Sequence, residues 1–518
     1  MQKMRRLNVA LDMLFFGACV CLLLVTGVMK WTGDSGFQTS SVYVLVVAIL
    51  CFDFGVLANS AFHMRRDLHM LLFVLVYNVL LLGRVYFNCI YYRHRLLDVL
   101  EAEGWQQLYL AILIIFVGLV AFVLAYFLIG PIFRRRERQV ERGERSPQKP
   151  VVPVLRQLSR VALYVTSIPF FYVLAIQAYT VVAGGYAASF THTVEIPSLI
   201  SRLSTLFVPS FVLFLGTLPS LRQMIGPLVV YGVYMGASLL TGRRSMLVTE
   251  AIMLFLYFVM RDALRPKERR RLTWKWAIPV AVVGLVGAYL LQQIAYMRSG
   301  YVNWNRSFFS VLMSFVDSQG ASFRVVVQTV NHLPMVQSAE PLYFLLYPFE
   351  MYFRNNAVFN TLFGLPAIVE VQTPEFAQTT HNYAHWLTYA VDPQRYVGGG
   401  GFGTSFVAES FAAGGFVALI LVAVLFGIVF RWFSSLLTRN WLTIAIGLFL
   451  FRDLIYTPRN FAFSWLTDTF SITNIFYVAV LYVLALLLMR LGAHVHRLDR
   501  RPPPRIRVRF RLRLHNGG

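Results

Sequence analysis

Six arginines, two histidines and one glutamate stand where an apolar chain seldom keeps charge. Arg243 and Arg244 lie in Thr241-Gly242-Arg243-Arg244-Ser245, a tight connection between two apolar runs. A guanidinium fork matches phosphate oxygens, so this pair reads as a site for an anionic group. Snorkelling to lipid headgroups is the plainer alternative. Arg452 and Asp453 sit inside an apolar run, where a charge costs about 2.5–3.5 kcal/mol and is kept facing a cavity or a partner. A structural ion pair between helices accounts for them equally well. Arg459 follows in Thr457-Pro458-Arg459-Asn460, and Arg298 and Arg354 lie in the long polar stretch before. Glu409 opens a late apolar run, where a carboxylate is either a helix-end charge or a buried acid or base. His381 and His385 are spaced i, i+4 and share a face if their segment is helical. No third ligand accompanies them, so general base or substrate contact is the expectation, and no metal or other cofactor is expected.

The elements that must place these groups are membrane helices. Of 518 residues, 57% are hydrophobic and 14% charged, and the mean hydropathy is +0.61; a soluble domain carries about 25% charged residues. The expected fold is an all-α polytopic membrane protein of about 12 transmembrane helices, each near the roughly 20 residues that cross a bilayer. They are expected at 9–30, 41–62, 68–92, 105–132, 161–183, 199–220, 224–240, 246–260, 276–296, 406–430, 441–457 and 461–489. The first run lacks a small-residue cleavage site and reads as a retained helix. Four organisational parts follow: helices one to nine over 1–296, a large extracytoplasmic loop over 297–405, helices ten to twelve over 406–489, and a basic disordered tail over 490–518.

Charge orients the whole. The 134–160 connection holds nine basic residues against three acidic, and 261–275 holds seven against two. Such segments stay in the cytoplasm, which places both termini there and the insert outside. From 298 to 405 the insert carries five basic and six acidic residues. Within it, Pro341 to Phe363 is rich in Leu, Phe and Tyr and is expected to form one or two short interfacial helices. Its aromatics read as an interfacial belt or as platforms for sugar rings. The run Gly398 to Gly401 reads as a flexible turn, or as backbone able to approach a phosphate or sugar. The net charge of +23 follows from the cytoplasmic loops, not from nucleic-acid binding. The four cysteines all lie in apolar runs and read as small buried residues. No phosphate-binding loop, dinucleotide fingerprint or zinc pair is present.

Gly401-Phe-Gly403-Thr-Ser405-Phe-Val-Ala-Glu409-Ser-Phe-Ala-Ala-Gly414-Gly415 resembles the segment that opens a late helix in bacterial O-antigen and oligosaccharide repeat-unit polymerases of the Wzy type. The Gly242-Arg243-Arg244 hairpin resembles that family's Gly/Arg hairpin, and the gross plan is similar over the whole chain. Ala412-Ala413-Gly414 departs from the commoner Asn-Phe-Gly ending. The resemblance implies polymerisation of undecaprenyl-diphosphate-linked oligosaccharides on the outer face of the bacterial plasma membrane. A sugar hydroxyl attacks the anomeric carbon of the growing chain, and the lipid diphosphate leaves. It further implies Arg243 and Arg244, with Arg452 or Arg459, as diphosphate ligands, and Glu409 or His381 as base. His385, Arg298 and Arg354 are left as substrate contacts. Membrane lipids, a chain-length regulator and a flippase are the implied partners. A lipid-linked oligosaccharide flippase and a glycan ligase share the same gross plan and remain the alternatives.

Overall fold

The computed structural model describes residues 35–133, 150–191, 196–241, 244–264, 277–298, 306–364, 368, 370–436 and 440–499. Every regular element among them is helical. Inside a bilayer a helix satisfies its own backbone polar groups, so apolar runs of this length fold no other way unless they close a barrel. Among the described residues nine helices are long and apolar enough to cross a membrane. They answer expected runs two to seven and ten to twelve. The expected run at 9–30 lies outside the described residues. The eighth and ninth runs form helices Arg244–Leu264 and Ala277–Arg298, which are not among those nine.

Two apolar cores hold the helices together. The first joins Ser35–Phe62, Met64–Tyr77, Trp105–Leu128 and the late helix Phe406–Leu436. The second joins Val152–Thr191, Phe207–Gly216 and Leu221–Ala237. Helix Trp441–Leu454 ties them, giving Leu450, Phe451 and Leu454 to the first core and Ile444, Leu448 and Phe449 to the second. Helix Arg244–Leu264 does the same with Leu256 and with Met253 and Tyr257. A fixed buried ion pair pins one end of the first core: Arg431 Nη1 lies 3.4 Å from Asp67, which also accepts the Tyr126 hydroxyl at 2.8 Å.

Helix boundaries depart from expectation at three places. The fifth span begins at Val152, with Pro153 tolerated in its first turn. Arg156 therefore sits on the helix and not in the basic connection. Its Nη2 donates to the Thr217 carbonyl at 2.8 Å, closing the C-terminal end of Phe207–Gly216 in the manner of a basic cap. The twelfth run is two pieces, Ser464–Thr469 and Ile472–Asp499. The second extends past the expected tail boundary at Arg490, because no proline interrupts the run before Pro502.

The polar insert differs most from its sequence reading. The two short helices expected over Pro341 to Phe363 are there, Leu342–Arg354 and Ala357–Phe363, but among the described residues of the insert six more occur: Phe308–Gln319, Phe323–Asn331, Leu333–Ser338, Pro374–Thr379, Tyr383–Val391 and Pro393–Val397. The starts are written in N-cap residues. Ser307, Thr373, Asn382 and Asp392 each accept a hydrogen bond from a backbone N–H of the first turn, as such side chains do at helix entry. Nor is the insert only a cover. Phe323, Val325, Val326 and Val327 are buried in the first core. Gly320 lies against the Arg84 backbone so closely that a Cβ there would collide with it. Arg84 meets Asp317 at 3.5 Å, and Asn88 donates to the same carboxylate at 3.0 Å. The arginine in the third span therefore pairs with the insert.

Candidate active site

Helix Leu342–Arg354 carries Glu350 and Arg354 one turn apart, and residues at i, i+4 share a face. Arg354 Nη1 donates to Glu350 Oε1 at 2.8 Å. From the other side His381 Nδ1 lies 2.7 Å from Glu350 Oε2, and its ring stacks on Tyr343 with centroids 5.0 Å apart. A carboxylate accepts hydrogen bonds, so Nδ1 donates to Glu350, and in the neutral imidazole the lone pair is then on Nε2. The side chain of His381 is 41% exposed, which leaves it open to a ligand. These three residues line a cavity of ≈ 300 Å³ with Tyr347, Phe376 and Thr380. Sequence reasoning named His381 and Arg354 but not Glu350, which entered only as one unit in a charge balance. The Glu350-x-x-x-Arg354 spacing on an aromatic-rich helix was the signal available.

His381 and His385 do not share a helical face. Asn382 caps helix Tyr383–Val391, so His381 belongs to the segment before it and His385 to the first turn after. His385 Nδ1 pairs with the Tyr396 hydroxyl at 2.8 Å, and its ring meets the edge of Phe376 at 5.1 Å. Burial pushes the His385 pKa below its usual value, against a weaker opposing pull from Glu370. Burial, helped by Glu370, raises the Tyr396 phenol to about 12. Glu370 itself takes the Tyr347 hydroxyl at 2.6 Å and Asn382 Nδ2 at 2.7 Å. Burial and this carboxylate hold the Tyr347 phenol well above the usual range.

Glu409 lies in the first turns of the helix Phe406–Leu436 and is fully buried. Its Oε1 accepts the Thr404 hydroxyl, and its Oε2 accepts the Ala462 backbone N–H at 2.9 Å. The neighbouring Phe461 and Phe463 rings pack on Tyr347 and Phe349 at 5.4 and 5.6 Å. Glu409 is thus bound to the turn that backs the cavity wall. Arg459 stands on the same turn, half-buried.

A second charged cluster lies between the cores. Arg452 Nε meets Glu250 Oε1 at 2.6 Å, and Arg452 Nη1 meets Asp453 at 3.5 Å. Glu250 also accepts the Tyr231 hydroxyl at 2.6 Å. The expected alternative of an interhelical ion pair is what the geometry contains, with a partner that sequence reading had not singled out. Six residues before Glu250, Arg244 opens the same helix and donates to the Leu291 carbonyl at 3.2 Å. Arg243 lies outside the described residues. Arg298 ends helix Ala277–Arg298, and the described structure does not extend to its side chain. A further hollow of ≈ 630 Å³ between Trp105–Leu128 and Phe406–Leu436 is lined by Phe116, Val120, Leu124, Ile420, Val424, Ile428 and similar residues. It can take hydrocarbon but supplies neither proton nor charge.

A family model described as O-antigen polysaccharide polymerase Wzy matches residues 13–491, nearly the whole chain. The chain belongs to the Wzy family. No curated protein and no solved structure matches it. Membership bears out the resemblance seen around Gly401 to Gly415. It makes the protein a multi-pass membrane polymerase acting on lipid-linked oligosaccharide repeat units.

For a Wzy polymerase the chemical demand is specific. Joining sugars needs a base beside the attacking hydroxyl and positive charge where the leaving group gathers negative charge. The cavity beside Glu350 offers a histidine with a free Nε2 and an arginine. Glu409 offers neither oxygen to solvent.

Proposed function

We propose that this polymerase extends O-antigen or a related surface polysaccharide by transferring the growing chain from undecaprenyl diphosphate to a hydroxyl of the next lipid-linked unit. His381 Nε2 takes the proton of the attacking hydroxyl. That oxygen bonds to the anomeric carbon as the bond to the diphosphate oxygen breaks, and the lipid diphosphate leaves with the electron pair. Glu350 holds His381 in the productive tautomer and steadies the imidazolium that forms, the same duty that a carboxylate performs for other catalytic histidines. Arg459 and Arg244 bind the departing diphosphate, joined by Arg243 from the adjoining hairpin. Arg354, Arg298 and His385 contact the sugar units. The observation that carries this reading is the 2.7 Å contact between His381 Nδ1 and Glu350 in a half-open cavity.

The reading includes twelve spans in the bacterial inner membrane, both termini cytoplasmic, and the 297–405 insert extracytoplasmic between helices nine and ten. The basic 134–160 and 261–275 segments support it. A flippase that delivers repeat units and a regulator of chain length complete the pathway at the same membrane. The test is complementation of a deletion strain, with surface glycan resolved by gel. His381→Ala, present at wild-type level in the membrane, is expected to leave single repeat units in place of long chains. Polymer of normal length from that variant overturns the assignment of the base.

A further inference from the structure

We infer that Glu409 is a positioning residue that locks the Arg459 turn against the catalytic cavity, and that it is not the base. The inference rests on the polymerase reading above and concerns a duty that reading leaves unassigned. Three observations converge on it. The carboxyl is fully buried with both oxygens engaged, one by the Thr404 hydroxyl and one by the Ala462 N–H at 2.9 Å. A base must reach a substrate hydroxyl within hydrogen-bond distance, and this one has no face toward solvent.

The second observation is a break in the helix. At Gly414 and Gly415 the backbone leaves the helical region, with φ −170° and ψ 33° at the first and φ 60° and ψ −147° at the second. The segment 406–413 is therefore a separate short helix, no longer held in register by the span that follows. In its place the segment is tied sideways, through Glu409, to Ala462. Ser405 caps its start by accepting from the Val407 N–H at 3.3 Å.

The third observation is what Ala462 belongs to. The turn Thr457–Arg459 and the residues after it place Arg459 half-buried and press Phe461 and Phe463 onto Tyr347 and Phe349 of helix Leu342–Arg354. That helix bears Glu350 and Arg354. Glu409 thus connects the broken helix, the turn with Arg459 and the wall of the His381 cavity through one carboxyl group. Loss of the link lets Arg459 drift from the leaving group while the His381–Glu350 contact stays intact.

Polymerisation rates in membrane vesicles with lipid-linked repeat units test this. A Gln side chain can still accept from Ala462 N–H and donate to Thr404, so Glu409→Gln is expected to lose no more than about threefold, with the pH profile of the wild type. Glu409→Ala is expected to lose about a hundredfold, the scale of an ångström-size misplacement. The loss should fall mainly on KM for the lipid-linked donor and be non-additive with Arg459→Ala. The link also has a readout that needs no turnover. An Arg459→Cys variant is expected to react about tenfold faster with a membrane-impermeant maleimide once Glu409→Ala is added, and no faster with Glu409→Gln. Glu409→Gln as inactive as Glu409→Ala, with the pH profile lost, overturns the inference and makes Glu409 the base. Unchanged labelling in both backgrounds overturns the latch itself. Should Glu409→Ala fail to accumulate, Thr404→Val in the same two assays decides, with a smaller loss of the same kind expected. Labelling as expected with no polymerisation in the wild type indicts the functional reading and leaves the latch standing.

Discussion

Glu250 and Glu350 are the same residue type, each paired with an arginine and each touching an aromatic hydroxyl or imidazole, yet they sit in opposite surroundings. Glu250 is 1% exposed, and its two oxygens meet Arg452 and Tyr231 between the two apolar cores. Glu350 is 25% exposed and holds His381 at the rim of a cavity. In the first case burial makes the pair obligatory, because removing one partner strands a charge in a low-dielectric interior. In the second, water reaches both partners, so the pair adds little to stability and is free to orient a proton acceptor. On the function proposed above, fold and chemistry are divided between two Glu–Arg pairs, and residue type alone does not say which is which.

The sharpest way to break this contrast is to remove each carboxylate in turn. Glu250→Ala removes the carboxylate that meets Arg452 at 2.6 Å and is expected to cost about 3–5 kcal/mol, the scale of a broken buried pair. The measure is the detergent-solubilised melting midpoint and the amount of folded protein in the membrane. Activity should fall only in proportion to folded protein. A Glu250→Ala protein with an unshifted midpoint and no polymer would move the chemistry to the Arg452 cluster.

Glu350→Ala is expected to do the reverse. Stability should change by less than about 1 kcal/mol, as for an exposed pair. Polymer synthesis should fall by about 10²–10⁴-fold, the usual contribution of a positioned general base, as in His381→Ala, and the double variant should be no worse than either single one. Additive losses would mean that Glu350 acts apart from His381. Vesicle assays on equal amounts of folded protein give the comparison.

A third substitution asks whether the broken helix belongs with the fold or with the site. Gly415 has φ 60° and ψ −147°, a region that is essentially closed to residues with a Cβ, and forcing one there costs about 1–3 kcal/mol. Gly415→Ala is expected to lower the melting midpoint and, through the short helix 406–413, to raise KM for the lipid-linked donor more than it lowers kcat. Gly414→Ala should be milder, since φ −170° is extended backbone that other residues adopt and the added Cβ presses only on the Ala418 methyl, at 3.0 Å. Equal effects at the two positions would deny the strained conformation at Gly415.

Long apolar runs made the spans legible, because twenty consecutive residues of one character leave the chain a single solution in a bilayer. Arg452 announced itself for the same reason, as a charge inside such a run. The insert was harder to read. Its helices are short and its apolar positions serve two neighbours at once, so Phe323, Val325, Val326 and Val327 pack into the first apolar core without the length that marks a span. Glu350 and Glu370 looked like ordinary acids of a polar segment, because what singles them out is contact with His381 and with Tyr347, residues 31 and 23 positions away. Gly414 and Gly415 were visible, but two glycines in a helix do not say whether it bends. The helix starts were the missed opportunity, since Ser307, Thr373, Asn382 and Asp392 are all N-cap types.

The smallest expected effect separates the two histidines of the insert and does so by pH. His385 is packed against Phe376 and Tyr396, and burial depresses its pKa. A histidine whose folded pKa lies below its unfolded value binds fewer protons in the folded state, so stability rises with pH through that window. Its contribution is complete above the unfolded pKa of about 6.5 and is lost as pH falls through the folded value beneath it. Melting midpoints of the wild type should therefore decline between about pH 7 and pH 5, and His385→Gln should flatten part of that decline. His381→Gln should abolish polymer synthesis instead, because an amide cannot take the proton of the attacking hydroxyl. If His381→Gln keeps polymer synthesis and His385→Gln abolishes it, the two residues have exchanged roles, and the cavity beside Glu350 is structural.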